Sequence, residues 1–278
     1  MCSLRCPEVR VVAHDKSPAA CDPPGTTLRD AVTADLVFVS VPTPMLPASG
    51  RVDLSIVEAV VANIREVDPG ARIVVRSTVP PGTCARLRVH FMPEFLTEAA
   101  AAEDFRRNPV WVLGAPGGAP DPAVRAALGA VFRAAKRHRR IESDRTEWVH
   151  STEAELIKYF RNTFLATKVA FCNEFASLCA TLGVEYGAVR KHAAVDARIG
   201  LSHTAVPGPD GMTGYGGTCF PKDTRGLIGV FDQHRVRCPL LEASVKRNET
   251  IDRPGREWLT MVGRAVSERD EASTSDSV

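Results

Sequence analysis

Cys219 has more chemically useful neighbours than any other residue in this chain. It lies in the run Gly214-Tyr-Gly-Gly-Thr-Cys-Phe-Pro-Lys-Asp223, where small residues let a ligand approach the backbone and Lys222 and Asp223 set charge beside the thiol. A structural core cysteine needs neither feature, so the run points to a nucleophile. Lys158 and Asn162 are one helical turn apart, which could aim two donors at a developing oxyanion; taken singly they are ordinary solvent-facing residues. Glu94 and Glu98 follow Pro93 at the same spacing, and their plain alternative is a pair of first-turn carboxylates favoured by a helix dipole. Ser77-Thr-Val-Pro-Pro-Gly-Thr83 follows an apolar run, so its hydroxyls would sit at the carboxyl end of a strand, although a Pro-Gly turn explains the segment equally well.

The elements that must position these groups fall into two textures. In the first half, short β-branched runs at 10–14, 36–41, 71–76 and 110–113 read as buried strands. Helical periodicity separates them at 53–67, with Asp53 or Ser55 available as a cap, and at 122–136, with Asp121 as cap and Pro122 at the first position. This alternation predicts a doubly wound α/β sheet. From Ser151 one long helix is expected to Gly183, opened by a Thr152/Glu155 capping box and carrying Leu156, Phe160, Phe164, Phe171, Phe175, Leu178 and Leu182 at helical spacing. Its later half is apolar over so much of its surface that we expect it to pack against a second copy, as a homodimer through 152–182. Further helices are expected at 183–195 and 240–250, and a disordered polar end from Ser267.

Composition narrows the function classes. A formal charge of +2 gives no general attraction for nucleic acid, and the basic cluster Lys136-Arg-His-Arg-Arg140 reads as a solvated helix end. No apolar run approaches the roughly 20 residues of a membrane span, so no membrane association and a cytoplasmic location are expected. The eight cysteines show neither paired metal spacing nor a disulfide framework, which predicts reduced thiols and no metal.

In order, Val41-Pro-Thr-Pro44, Gly50-Arg-Val-Asp-Leu-Ser55, the 77–83 turn, Met92-Pro-Glu-Phe-Leu-Thr-Glu98, Glu155-Leu-Ile-Lys-Tyr-Phe-Arg-Asn162, Asn173-Glu174, Asp196-Ala-Arg-Ile-Gly200 and the Cys219 run resemble the UDP-glucose/GDP-mannose 6-dehydrogenase family. The resemblance covers residues 11–251. It implies NAD-dependent oxidation of the C6 alcohol of a nucleotide sugar to a carboxylate. By it, Cys219 attacks the aldehyde intermediate, the thiohemiacetal loses a hydride to give a thioester, and water cleaves the thioester. Lys158 and Asn162 would stabilise the oxyanions, and Asp223 and Thr78 would order or deprotonate the water. Glu94, Phe95, Leu96 and Gly216 would lie on the substrate side with Lys158 and Asn162. Thr43, Thr78, Glu98 and Lys222 would lie near NAD, and Asp15, at the end of the 10–14 strand, would hold a ribose hydroxyl.

The resemblance is to a family member shortened at both ends. A Gly-rich turn for the cofactor's pyrophosphate is missing, since Gly25 is the only glycine before Gly50. After Pro254 a polar stretch stands where the family continues into a further α/β domain for the substrate's nucleotide. The expected organisation is an incomplete, Rossmann-like dinucleotide-binding domain at 1–143, an all-helical central and dimerisation domain with the catalytic cysteine at 144–255, and a disordered tail at 256–278. Three activities fit: the compact dehydrogenase, a thiol-dependent enzyme without a redox step acting on a sugar or nucleoside, and a non-catalytic dimerising homologue.

Overall fold

The computed structural model describes residues 2–96 and 100–269. The chain divides into two units, one of Met1–Val41 with Leu54–Lys158 and the other of Pro42–Asp53 with Tyr159–Val278.

The first unit is built on a five-stranded sheet of spatial order β1-β2-β3-β4-β5. Its elements run α1 (Leu28–Val32), β1 (Val37–Val39), α2 (Ser55–Val67), β2 (Ile73–Val75), α3 (Thr83–Leu87), β3 (His90–Phe91), α4 (Ala101–Arg107), β4 (Trp111–Ala115), α5 (Pro122–Arg137), β5 (Thr146–His150) and the opening of α6 (Ser151–Thr181). Successive strand residues point to opposite faces, and both faces are covered. Ile73 and Val75 join Val37, Val39, Val57, Val61 and Ile64 in one cluster, whereas Val74 joins Trp111, Leu113, Val124, Leu128 and Phe132 in another. Helix α2 packs on the first face and α5 on the second, the arrangement of a doubly wound sheet. β1, β2 and β3 are mutually parallel, but β3 pairs with β4 antiparallel at Phe91 and Gly114. The sheet is therefore the expected doubly wound, mostly parallel one, with the β3–β4 pair as its antiparallel member.

Several local expectations are corrected here. Residues 10–14 form no strand, only an isolated antiparallel bridge of Ala13 to Asp22. Asp15 consequently stands at no strand end; it is exposed, and its carboxylate accepts from the Ser17 amide at 2.8 Å. The first turn of α6 is not closed by Thr152 and Glu155. The His150 amide donates to Glu153 at 2.9 Å and the His150 ring accepts from Thr152 N at 3.2 Å, so a histidine takes the capping position. Glu155 is fully buried and accepts from the amides of Gly82 at 2.6 Å and Cys84 at 2.7 Å, which ties α6 to the start of α3. Helix α2 starts after Leu54, which makes no side-chain cap. Asp121 caps α5 as expected, accepting from Ala123 and Val124.

In the second unit α6 ends at Thr181 and is closed by a turn at Gly183, whose φ of +68° suits glycine, with Val184 N donating to Cys179 O at 2.9 Å. α7 (Tyr186–Ala193), α8 (Phe220–Gln233) and α9 (Pro239–Arg247) follow, and α9 runs into a π turn at Asn248–Asp252. α8 was not expected from the sequence, although Pro221 lies at its first turn. Residues 257–267, expected to be disordered, are packed: Trp258, Ala265 and Val266 form a cluster with Met45, and Ser267 donates to Asp53 at 2.7 Å. Among the described residues no helix is long and apolar enough to cross a membrane.

Candidate active site

In the first unit, the carboxyl ends of β1 and β2 are stitched by Ser77, whose hydroxyl donates to Val41 O at 2.7 Å and accepts from Val41 N at 2.8 Å. Thr78, next along, is half-buried. Arg76 is almost fully buried; it lies over the Phe105 ring and pairs with the half-exposed carboxylate of Glu94 at 3.0 Å. Lys158, also buried, donates to the Glu94 main-chain oxygen and stands 5.8 Å over the Phe95 ring. Lys158, Glu94 and Phe95, singled out in sequence as separate signals, are thus brought together. Leu96 instead packs on the sheet's second core cluster. Glu98 lies outside the described residues.

The second unit holds the thiol. Cys219 is exposed at the N-cap of α8, so the small residues before it end where a helix begins. Three residues later the helix presents Lys222 and Asp223 inward. Lys222 donates to one carboxylate oxygen of Asp223 at 2.6 Å and Asn162 donates to the other at 2.6 Å, with Asp223 only 1% exposed. An ionised carboxylate buried this deeply requires such partners. Lys222 is therefore engaged within the site's own framework. Thr43 is buried in the segment Pro42–Asp53 of the same unit.

Two asparagines fix the glycine run. Asn173 accepts from Gly214 N at 3.0 Å, and Asn248 grips Tyr215 through its amide and carbonyl, both at 2.8 Å. Arg253, 3% exposed, donates to Thr213 O at 2.7 Å and pairs with Asp210 and Glu257. Their side chains fill the space beside Gly216, where an added Cβ would meet Glu257 Oε1 at 2.1 Å and Arg253 Nη1 at 2.4 Å. Burial pushes the Tyr215 phenol up to about 12, so it stays protonated at neutral pH. Asn248 and Arg253 were not singled out in the sequence; only contacts across 33 and 40 residues identify them. Asn173, by contrast, stands in the quoted Asn-Glu pair.

Comparison with known proteins matches residues 25–136 to the NAD binding domain of the UDP-glucose/GDP-mannose dehydrogenase family and residues 152–250 to its central domain. UDP-glucose 6-dehydrogenase of Rhizobium meliloti is 37% identical over 254 residues, covering 85% of this chain and 55% of the relative. The enzyme of that name from Pseudomonas aeruginosa is 37% identical over 233 residues, 77% of this chain and 48% of the relative. A solved UDP-glucose dehydrogenase from Pyrobaculum islandicum superposes with a TM-score of 0.69 at 32% identity, over 81% of this chain and 52% of that one. The chain spans about half the length of the relatives it matches.

Proposed function

Because the chain belongs to the UDP-glucose/GDP-mannose dehydrogenase family, we propose that it serves NAD-dependent oxidation of a nucleotide sugar's C6 alcohol to a carboxylate, with Cys219 as the covalent nucleophile. The observation that carries this reading is the exposed thiol at the N-cap of α8, beside the buried Asn162-Asp223-Lys222 network.

The fit to NAD is partial. Open α/β sheets bind dinucleotides beyond the carboxyl ends of their strands, where Ser77 and Thr78 stand. The strand order of the described sheet does not reverse, and no Gly-rich pyrophosphate turn occurs among the described residues. The oxidation of alcohol to carboxylate releases two hydrides and would draw on two NAD molecules, one hydride to each.

The chain's own groups account for the remaining chemistry. Cys219 adds to the aldehyde carbon, giving up its proton, and the carbonyl oxygen takes the developing negative charge. Asn162 keeps a second amide hydrogen that Asp223 does not use, so it acts as a donor to that oxygen. Hydride loss from the thiohemiacetal leaves a thioester at sulfur. Water then adds, the carbon–sulfur bond breaks, and carboxylate and free thiol result. Asp223 acts here as a positioning residue for Asn162 and Lys222.

The same reading makes the exposed aromatic stripe of α6 a surface for pairing with a second copy. Phe160 and Phe171 are 71% and 64% exposed, more than a solvated helix face ordinarily carries.

The test is NADH formation with UDP-glucose, GDP-mannose and their N-acetyl analogues, comparing wild type with Cys219→Ala. Turnover of one sugar by wild type, with the variant stalled before carboxylate, is expected. Equal carboxylate formation by both would remove the covalent route, and no NAD-linked turnover of any sugar would remove the redox reading.

A further inference from the structure

We infer that Cys6, Glu8 and His138 form a binding site for a thiophilic divalent cation of the zinc class. Their ligand atoms, one sulfur, one carboxylate oxygen and one imidazole nitrogen, all lie within 4.8 Å of one another. Cys6 and Glu8 come from a tight turn closed by hydrogen bonds between Cys6 and Val9, from Val9 N to Cys6 O at 2.9 Å and in return at 3.3 Å, with Pro7 stiffening it. His138 is the C-cap of α5, and its Nε2 lies 2.7 Å from Glu8 Oε2. The turn is anchored from beneath, because Leu4 is buried in the same core cluster as Val124, Leu128 and Phe132 of α5. The spacing of 130 residues between ligands conceals the set from any sequence motif.

A tetrahedral zinc site, with bonds of about 2.3 Å to sulfur and about 2.1 Å to nitrogen and oxygen, holds its ligand atoms roughly 3.3–3.7 Å apart. Reaching it from the present geometry takes movements of about 1 Å, small for side chains that are partly exposed. The Glu8–His138 contact opens slightly and the metal replaces the shared proton. Arg137 donates to the other Glu8 oxygen at 3.1 Å and orients the carboxylate from outside. That guanidinium, with Arg139 and Arg140 close in sequence, opposes a hard cation held by charge alone, whereas sulfur and imidazole select zinc over magnesium or calcium. Binding releases to solvent both the Cys6 thiol proton and the proton held between Glu8 and His138, so that His138 binds as a neutral imidazole, and it leaves a fourth position for water. The bound ion would staple residues 2–9 to the end of α5.

The inference is independent of the proposed reaction and is tested with cobalt and zinc alone. Cobalt(II) titrated into the full chain is expected to give one equivalent of thiolate-to-metal charge-transfer absorption in wild type and Cys219→Ser, and none in Cys6→Ser or His138→Gln. Zinc is expected to displace it and to raise the melting temperature of wild type and Cys219→Ser only, with magnesium giving no shift. His138→Gln, at a solvated helix end, keeps the test open if Cys6→Ser fails to fold. No thiolate absorption in wild type, its survival in Cys6→Ser, its loss in Cys219→Ser, or a magnesium shift equal to that of zinc would each overturn the site.

Discussion

Asn162 gives its side-chain amide to Asp223 at 2.6 Å across 61 residues of sequence. The bond fixes which way the amide points, because Asp223 can only accept when ionised, so the Asn162 oxygen faces away and its second N–H remains to be offered elsewhere. Lys222 closes the other Asp223 oxygen at 2.6 Å. A rigid donor set beside an exposed thiol needs no reorganisation when charge develops, which is the condition for strong electrostatic catalysis.

This pairing makes a stability prediction. Asp223→Asn leaves the Lys222 ammonium buried without its counter-charge, and loss of one partner from a buried pair costs about 3–5 kcal/mol. Asp223→Asn/Lys222→Met, which removes both charges, should recover most of that loss. Urea unfolding of the two variants beside wild type checks it; a single variant within about 1 kcal/mol of wild type would mean that the pair contributes little.

Thiol chemistry should discriminate sharply between sites. Cys219 is exposed, whereas Cys84 is buried against Glu155, and burial first, then the neighbouring carboxylate, push its thiol far above the usual range. Iodoacetamide at neutral pH is expected to modify Cys219 first and Cys84 only on unfolding, as read by peptide mass spectrometry. Because the Cys219 side chain supports no packing, Cys219→Ser should change stability by no more than about 0.5 kcal/mol. Labelling of Cys84 in the native protein before Cys219 would contradict both the burial and the assignment of the nucleophile.

What the sequence made legible follows from the range of the interactions involved. β1, β2, β4, α2, α5 and the long α6 are visible because their apolar periodicity is local. β3 has two residues and β5 is only half-buried, so neither leaves a periodic trace. Residues 10–14 carry valines that resemble a strand, but a strand needs a partner edge, and none pairs with them beyond one bridge. In the site, Lys158 and Asn162 are recognisable from helical spacing. The reasons they are held in place, Lys158 on the Glu94 main-chain oxygen and Asn162 on Asp223, are contacts between distant segments, which no spacing rule encodes.

Acid should weaken the fold through His90. Its ring is buried and its Nε2 accepts from Asp121 N at 3.4 Å, a bond that protonation abolishes; burial lowers its pKa from 6.5 against the opposing pull of Asp121. A depressed base binds protons more readily when unfolded, so its stability contribution is complete above pH 6.5 and is lost as pH falls towards the folded pKa. His203, lowered by burial and by Lys168, adds to the same slope. Urea unfolding between pH 7.5 and 5 is expected to show falling stability, by at most about 1.4 kcal/mol per pH unit for each group, and His90→Gln should flatten it. An unchanged slope in that variant would assign the acid sensitivity elsewhere.

Self-association through α6 is open to direct measurement. Phe160 stacks on Phe164 with ring centres 6.2 Å apart and Phe171 lies 6.0 Å from Phe175, so aromatic area is grouped into two patches rather than scattered. Covering such surface removes apolar area from water at about 25 cal/mol per Å², and buried aromatic anchors dominate association energies. Phe160→Glu/Phe171→Glu places a charge in each patch. Since neither ring is buried within its own chain, the fold should remain intact by circular dichroism while the mass seen by light scattering at micromolar concentration falls from two chains to one. Wild type running as a single chain at that concentration would end the pairing hypothesis, and a double variant that stays dimeric would move the interface off this stripe.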